Sequence, residues 1–346
     1  MHAPDVSVVI PTRNRRALLR RALRTVLGQQ GVAVEVVVVD EASHDGTGDF
    51  VTRLGDPRIS LVRHDAALGV GAARNAGIAR ARAPWVGFLD DDDLWAPDKL
   101  AAQLEVAART DAAWVYVGAV IINEALDIVS GARPLPRSRL RRVLAYNYVP
   151  GGGSGTMVRT DLARSIGGFD TQLGVLADWE MWIRLALAAP AAAVPRPLVA
   201  YLRHSGSMSH VNDRFIADLE YIQQKHAGVR DLWGVRMERD RWMRWAAGMQ
   251  LRSRNTRDAV QTYLEIARRY GDRKSIARAV VGGLYPDLLL RYWRWHARRL
   301  LSNEWQREAE AWLAPLRRAF ADDAAPVEDS AALATTGAVL EAARSN

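Results

Sequence analysis

Two runs of β-branched residues open the chain, "VSVVIP" (Val6 to Pro11) and "VEVVVVD" (Val34 to Asp40). Neither alternates apolar with polar residues, so both read as strands buried on two faces inside a mostly parallel sheet. Between them "RRALLRRALRTVLGQQ" repeats leucine and alanine at helical spacing, with arginine on the other side, and Gly28 and Gly31 stop it. The alternation continues with "DGTGDFVTRLGDP" as a short helix, "ISLVRH" as a third strand, "GVGAARNAGIARARA" as a Gly- and Ala-rich helix and "WVGFLD" as a fourth strand. Alternation this regular implies right-handed βαβ units, which gather their functional loops at the carboxyl ends of the strands.

Further along, "DKLAAQLEVAART" reads as a helix, "AWVYVGAVIIN" as a strand, and Arg133 to Gly155 as a long irregular connection rich in Pro, Gly and Arg. "TMVRTDLARSIGGFD" and "LADWEMWIRLALAA" read as helices, and "AAVPRPLVAYLRH" as a strand-like return. Beyond about Asn212 the pattern is helical throughout, and the Ala-rich tail after Ala321 reads as poorly ordered. The divisions expected are 1–210, 211–320 and 321–346. The chain has no cysteine, which excludes disulfides, thiolate metal sites and cysteine nucleophiles. It has no apolar run of spanning length and no leader-like start, so the expectation is a soluble, unexported, cytoplasmic protein. The net charge of +8 is concentrated: residues 241–300 hold 14 Lys and Arg against 4 Asp and Glu.

Every unusual polar cluster in the first half falls at a strand end, and the densest is Asp90, Asp91, Asp92 and Asp93. Four adjacent carboxylates repel one another unless they point into water or share a cation. On an extended strand end alternate residues project to one side, so a D-x-D pair can reach one ion, and hard oxygen ligands favour Mg2+ or Mn2+ over zinc. Magnesium prefers one or two carboxylates plus substrate phosphates, so this looks like half of a metal–diphosphate site. The competing reading is a helix N-terminus, with Asp93 capping a helix that starts near Ala96 and Pro97. That accounts for one aspartate and not for four.

The other strand ends carry "PTRNR", "VDEASHDGT" and, ahead of the fourth strand, "GVGAARNAG". In this order the motifs resemble the family 2 glycosyltransferases of the GT-A fold, over roughly Val6 to Ser209. The resemblance implies an α/β GT-A fold, a mostly parallel Rossmann-like sheet flanked by helices, with an α-helical C-terminal domain. It implies an inverting, metal-dependent glycosyltransferase that moves a sugar from a UDP- or dTDP-linked donor to a hydroxyl acceptor in polysaccharide or glycoconjugate synthesis. It also implies roles: Pro11, Thr12, Arg13 and Asn14 in the first nucleotide-binding loop, Asp40 on the nucleobase, and Arg74 beside base and ribose. Asp90 and Asp91 would meet the ribose or a metal-bound water, and Asp92 the metal. "VDEAS" departs from the family pattern with Glu41 and Ala42 where Asp and Gly are usual. Asp40 as a helix cap and Arg74 as a surface ion-pair partner are the ordinary alternatives.

A dinucleotide fold needs G-x-G-x-x-G directly after the first strand, where this chain has "PTRNRR". A nucleotidyltransferase needs a glycine- and cation-rich first loop, and the glycines are missing here. A non-catalytic nucleotide-sugar-binding module is a further alternative.

Sugar transfer to an alcohol needs a group to take the hydroxyl proton. In "LADWEMWIRL" Asp178 aligns with the family's catalytic aspartate, but Ala177 replaces the glutamate before it, which leaves Glu180 as a substitute. Residues two apart on a helix point about 200° away from each other, so only one of the two can face the donor. Upstream, Gly151 to Gly153 supply a loop that can approach a sugar closely. "YLRHSGSMS" resembles the segment that follows the last core strand, with His204 at metal or diphosphate and Arg203 as a phosphate partner.

In the C-terminal helices Trp242, Trp245, Trp293 and Trp295 stand among arginines. That composition suits peripheral contact with the inner face of a membrane and a saccharide or lipid-linked acceptor, or else a helical bundle that packs its tryptophans. No nucleic-acid motif is present.

Overall fold

The computed structural model describes residues 3–204 and 213–322. In chain order the elements are β1 (Val6–Thr12), α1 (Arg16–Leu27), β2 (Val34–Glu41), α2 (Thr47–Arg53), β3 (Ile59–His64), α3 (Val70–Arg80), β4 (Trp85–Phe88), β5 (Leu94–Trp95), α4 (Lys99–Thr110), β6 (Trp114–Ile122) and β7 (Ile128–Ala132). Then follow β8 (Thr156–Arg159), α5 (Thr160–Ser165), α6 (Ala177–Ala188) and β9 (Ala191–Leu202). The helical remainder is α7 (Asp213–Lys225), α8 (Ala227–Trp233), α9 (Arg239–Arg252), α10 (Thr256–Tyr270), α11 (Arg273–Leu284), α12 (Pro286–Leu300) and α13 (Asn303–Asp322).

The strands form one sheet in the order β3-β2-β1-β4-β8-β6-β9-β5, with β7 paired to β6. From β3 to β4 every pairing is parallel, as the β-branched runs require. Beyond β4 the sheet is mixed: β8 runs antiparallel to both β4 and β6, while β6 and β9 are parallel. The mostly parallel sheet is therefore confined to the N-terminal half. "TMVR" is strand β8 rather than the start of a helix, because Met157 and Val158 lie buried between β4 and β6. The connection from Arg133 to Gly155 contains two short 3-10 helices, Arg137–Leu144 and Gly152–Gly155.

Alternate strand residues build a core on each face. Val8, Ile10, Val36 and Val38 pack with α1 residues Leu19 and Leu23, while Val9, Val37 and Val39 pack with Ala73 and Ile78 of α3. The small residues of α3 let it approach the sheet: a Cβ on Gly77 would lie 2.2 Å from Cγ1 of Val9. α13 returns to the first face, where Trp305, Ala309 and Leu313 extend the same core over β6 and β9. α9, α10 and α11 share a separate small core around Leu251, Tyr263 and Ile266. Of the four tryptophans singled out among the C-terminal arginines three are packed: Trp242 is buried beside Trp179 and Tyr146, Trp245 lies against Phe215, and Trp293 joins that small core. Trp295 is exposed. Most of the Ala-rich tail, residues 323–346, lies outside the described residues.

Candidate active site

The order β3-β2-β1-β4 reverses direction between β1 and β4, and a crevice opens at the carboxyl ends of the strands at such a switch point. Thr12, the last residue of β1, donates from Oγ1 to Oδ2 of Asp91 at 2.7 Å and so ties the two strand ends across it. Nη1 of Arg15 donates to Oδ1 of Asp91 at 3.0 Å and to Oδ2 of Asp92 at 2.9 Å. Pro11 is buried in β1 and Arg13 is exposed. Asn14, at φ 53°, faces the β2 loop: its N–H donates to Oγ of Ser43 at 2.9 Å, and its Oδ1 accepts from His44 N at 2.7 Å.

Asp40 is fully buried at the end of β2. Its Oδ1 accepts from Ser43 N at 3.0 Å, which makes a local turn rather than a helix cap, and Asp45 meets the N–H of Thr47 at the start of α2. Oδ2 of Asp40 has no hydrogen-bond donor among the described residues, and Nε of Arg63 stands 3.7 Å away. A buried acceptor in that state is costly unless a ligand supplies an N–H. Glu41 turns elsewhere, accepting from Gly69 N at 2.6 Å and pairing with Nδ1 of His64.

The four aspartates separate into distinct environments. Asp90 pairs with Nη2 of Arg74 at 2.6 Å. Asp92 Oδ2 lies 2.9 Å from Nε2 of His204 as well as meeting Arg15. Asp93 is fully buried, accepting from Ser154 Oγ at 2.6 Å and from Leu202 N at 2.9 Å. The same Ser154 hydroxyl accepts from Asp90 N at 3.0 Å. Capping by Asp93 is thereby ruled out: α4 begins at Lys99 with Asp98 at its N-cap. Burial pushes the Asp91 carboxyl up to about 7, helped by Asp92 and opposed by Arg15, and it pushes Asp90 and Asp93 upward too.

Arg74 is buried, not a surface ion-pair partner. Its Nη2 holds Asp90 and its Nη1 holds Oδ1 of Asp178 at 2.5 Å, so one planar guanidinium joins the β4 end to the start of α6. Asp178 and Asp90 raise the Arg74 pKa against the lowering effect of burial. The glycine loop closes over this pair. A Cβ on Gly152, which sits at φ 51°, would lie 2.9 Å from Oδ2 of Asp178, and one on Gly153 would lie 2.8 Å from Nη2 of Arg74.

Glu180 points away, as helical geometry requires. It is fully buried among Arg184 at 2.7 Å, Lys225 at 2.8 Å and His226 at 3.1 Å. Hydrogen bonds from those three side chains overcome burial and hold its carboxyl down at about 2. Of the two acids proposed from sequence, only Asp178 faces the crevice.

Asp92 and His204 fit a divalent ion in part. Their 2.9 Å separation is close to the ~3 Å edge of an octahedron with bonds of about 2.1 Å. No cluster of three or more such ligands exists among the described residues, so diphosphate and water would supply the other positions. The segment after His204, residues 205–209 of "YLRHSGSMS", lies outside the described residues.

Arg15, Ser154 and the anchoring role of Asp93 were not singled out from the sequence. Arg15 is the last residue of "PTRNR", so the motif contains it. Ser154 lies 61 positions from Asp93, and nothing local announces that contact.

The crevice at the switch point of this mixed sheet is lined by carboxylates. Residues 7–167 match the family model described as Glycosyl transferase family 2. The succinoglycan biosynthesis protein ExoO of Rhizobium meliloti is 45% identical over 127 residues, covering 37% of this chain and 34% of that protein. The UDP-Glc:alpha-D-GlcNAc-diphosphoundecaprenol beta-1,3-glucosyltransferase WfgD of Escherichia coli is 31% identical over 118 residues, covering 34% of this chain and 47% of that protein. The matches thus span a third to a half of these relatives. The crystal structure of S. aureus TarS 1-349 in complex with UDP-GlcNAc shares the fold, with a TM-score of 0.55, 18% identity and 72% of each chain covered. No helix among the described residues is long and apolar enough to cross a membrane.

Proposed function

We propose that the chain is an inverting glycosyltransferase that moves a sugar from a UDP- or dTDP-linked donor to a hydroxyl of a saccharide or lipid-linked acceptor, in cell-surface polysaccharide synthesis at the inner face of a membrane. The observation that carries this reading is the Arg74 bridge, which sets Asp178 beside the aspartate-lined donor crevice. In the proposed mechanism Oδ2 of Asp40 accepts the N–H of the base, and Thr12 and Asp90 border base and ribose. Asp178 takes the proton of the acceptor hydroxyl as its oxygen attacks the anomeric carbon from the face opposite the departing diphosphate. Arg74 orients that carboxylate, and the glycine loop keeps side chains out of the space beside it.

Asp92 and His204 are the residues proposed to hold Mg2+ or Mn2+, and the ion, when bound, supplies positive charge to the leaving diphosphate. Arg15 pairs with both Asp91 and Asp92 from the other side. The names of the relatives support the polysaccharide setting, and WfgD's names a diphosphoundecaprenol acceptor.

The test is release of UDP or dTDP from a panel of donor sugars with and without manganese. Release that requires the metal and falls about a thousandfold in Asp178→Asn supports the reading. Binding of a donor without turnover would make the chain a binding module, and chelator-insensitive transfer would remove the metal.

A further inference from the structure

The apolar surface of the helical region is concentrated on α11 and α12. Along α11, Ile276, Val280 and Leu284 are spaced by four and are 48%, 54% and 68% exposed. Along α12, Leu288, Tyr292 and Trp295 continue at helical spacing and are 59%, 54% and 51% exposed. Tyr285, 63% exposed, stands at the corner between the two helices. The inner faces of the same helices are satisfied, with Ala279 and Leu289 buried in the small core. The outward stripes are therefore surplus to folding, and exposed apolar stripes of this kind mark an interaction site.

Charge decides what covers it. Exposed Arg273 lies one turn before Ile276, Arg291 lies between Leu288 and Tyr292, and Lys274 stands nearby in the chain. The acids of this region are already matched, Asp287 with Arg254 at 3.2 Å and Glu265 with Arg269 at 3.8 Å. A second copy brought face to face would set arginine against arginine. A surface of anionic headgroups above acyl chains meets both needs, because aromatic and aliphatic side chains enter the boundary while the cations pair with phosphates.

We propose that the exposed stripes of α11 and α12 dock the protein on an anionic bilayer. This names a surface for the peripheral location proposed above, and it stands or falls independently of the transfer chemistry. Of the four tryptophans that the sequence offered for this role only Trp295 lies in the stripes, and aliphatic residues with Tyr285 and Tyr292 make up the rest of the contact.

The test is co-sedimentation of the full chain with phosphatidylcholine vesicles with and without phosphatidylglycerol. The expected result is binding to the anionic vesicles that weakens as salt rises, with about tenfold less binding to neutral ones. Val280→Glu with Leu284→Glu and Tyr292→Glu should reduce it about tenfold or more while thermal melting and nucleotide binding stay as in the parent. Arg273→Gln with Arg291→Gln should remove much of the salt-sensitive part. Two outcomes overturn the proposal: no binding to anionic vesicles, or equal binding by the triple variant. Sedimentation of the parent as a dimer that the same substitutions dissociate, without vesicle binding, would assign the stripes to a second copy instead.

Discussion

Ala42 holds φ at 55°, in the left-handed region, where the family pattern usually has glycine. A Cβ there costs about 1–2 kcal/mol, and the loop accepts the cost because Asn14, Ser43 and His44 knit it to the first loop. Ala42→Gly is expected to raise stability by about 1 kcal/mol, measured as a higher urea midpoint at unchanged slope. Asp40 gives a binding prediction at the same scale. If its buried Oδ2 accepts from the base, Asp40→Ala weakens UDP or dTDP binding about tenfold or more in calorimetry, whereas a purely structural role leaves the affinity of the folded variant unchanged. Asp40 and Arg74 were legible because each sits inside a dense motif. Arg15 was not separated from its neighbours, since the sequence shows that arginine is present but not which carboxylates it reaches.

Single elements show where a linear reading runs out. On α6 the residue pattern left Asp178 and Glu180 as rivals, and the choice rests on Lys225 and His226, which arrive from elements 45 or more positions away. Asp178→Asn and Glu180→Gln should therefore separate cleanly. The first loses turnover with an intact melting curve, and the second loses stability with turnover retained at low temperature. The β8 strand was misread as helix because a four-residue segment carries no useful periodicity, and its pairing with β4 and β6 is decided by the sheet. α13 is the clearest case. Its Trp305 ring fills the space above Gly118, where a Cβ would lie 2.3 Å from Cη2, and Trp312 donates from Nε1 to Pro197 O at 3.0 Å. Trp305→Ala is expected to cost about 3–5 kcal/mol, read from denaturant unfolding of the whole chain.

For the molecule as a whole, the buried ion cluster around Glu180 sets an acid limit. The folded carboxyl sits at about 2 against an ordinary 4.5, so its contribution is complete above about 4.5 and is lost as pH falls towards 2. That contribution is of order 3 kcal/mol. Unfolding monitored by circular dichroism should become progressively easier through this window, and Glu180→Gln should flatten that dependence while lowering stability at neutral pH.

The chain leaves the sheet after β9 and comes back to it as α13, so the helices in between are fastened at both ends. A tether with two stems resists being pulled off in a way that a trailing appendage cannot. A single protease cut in the turn between α9 and α10 would leave two fragments that still travel together, because the second keeps its own grip on the sheet through α13.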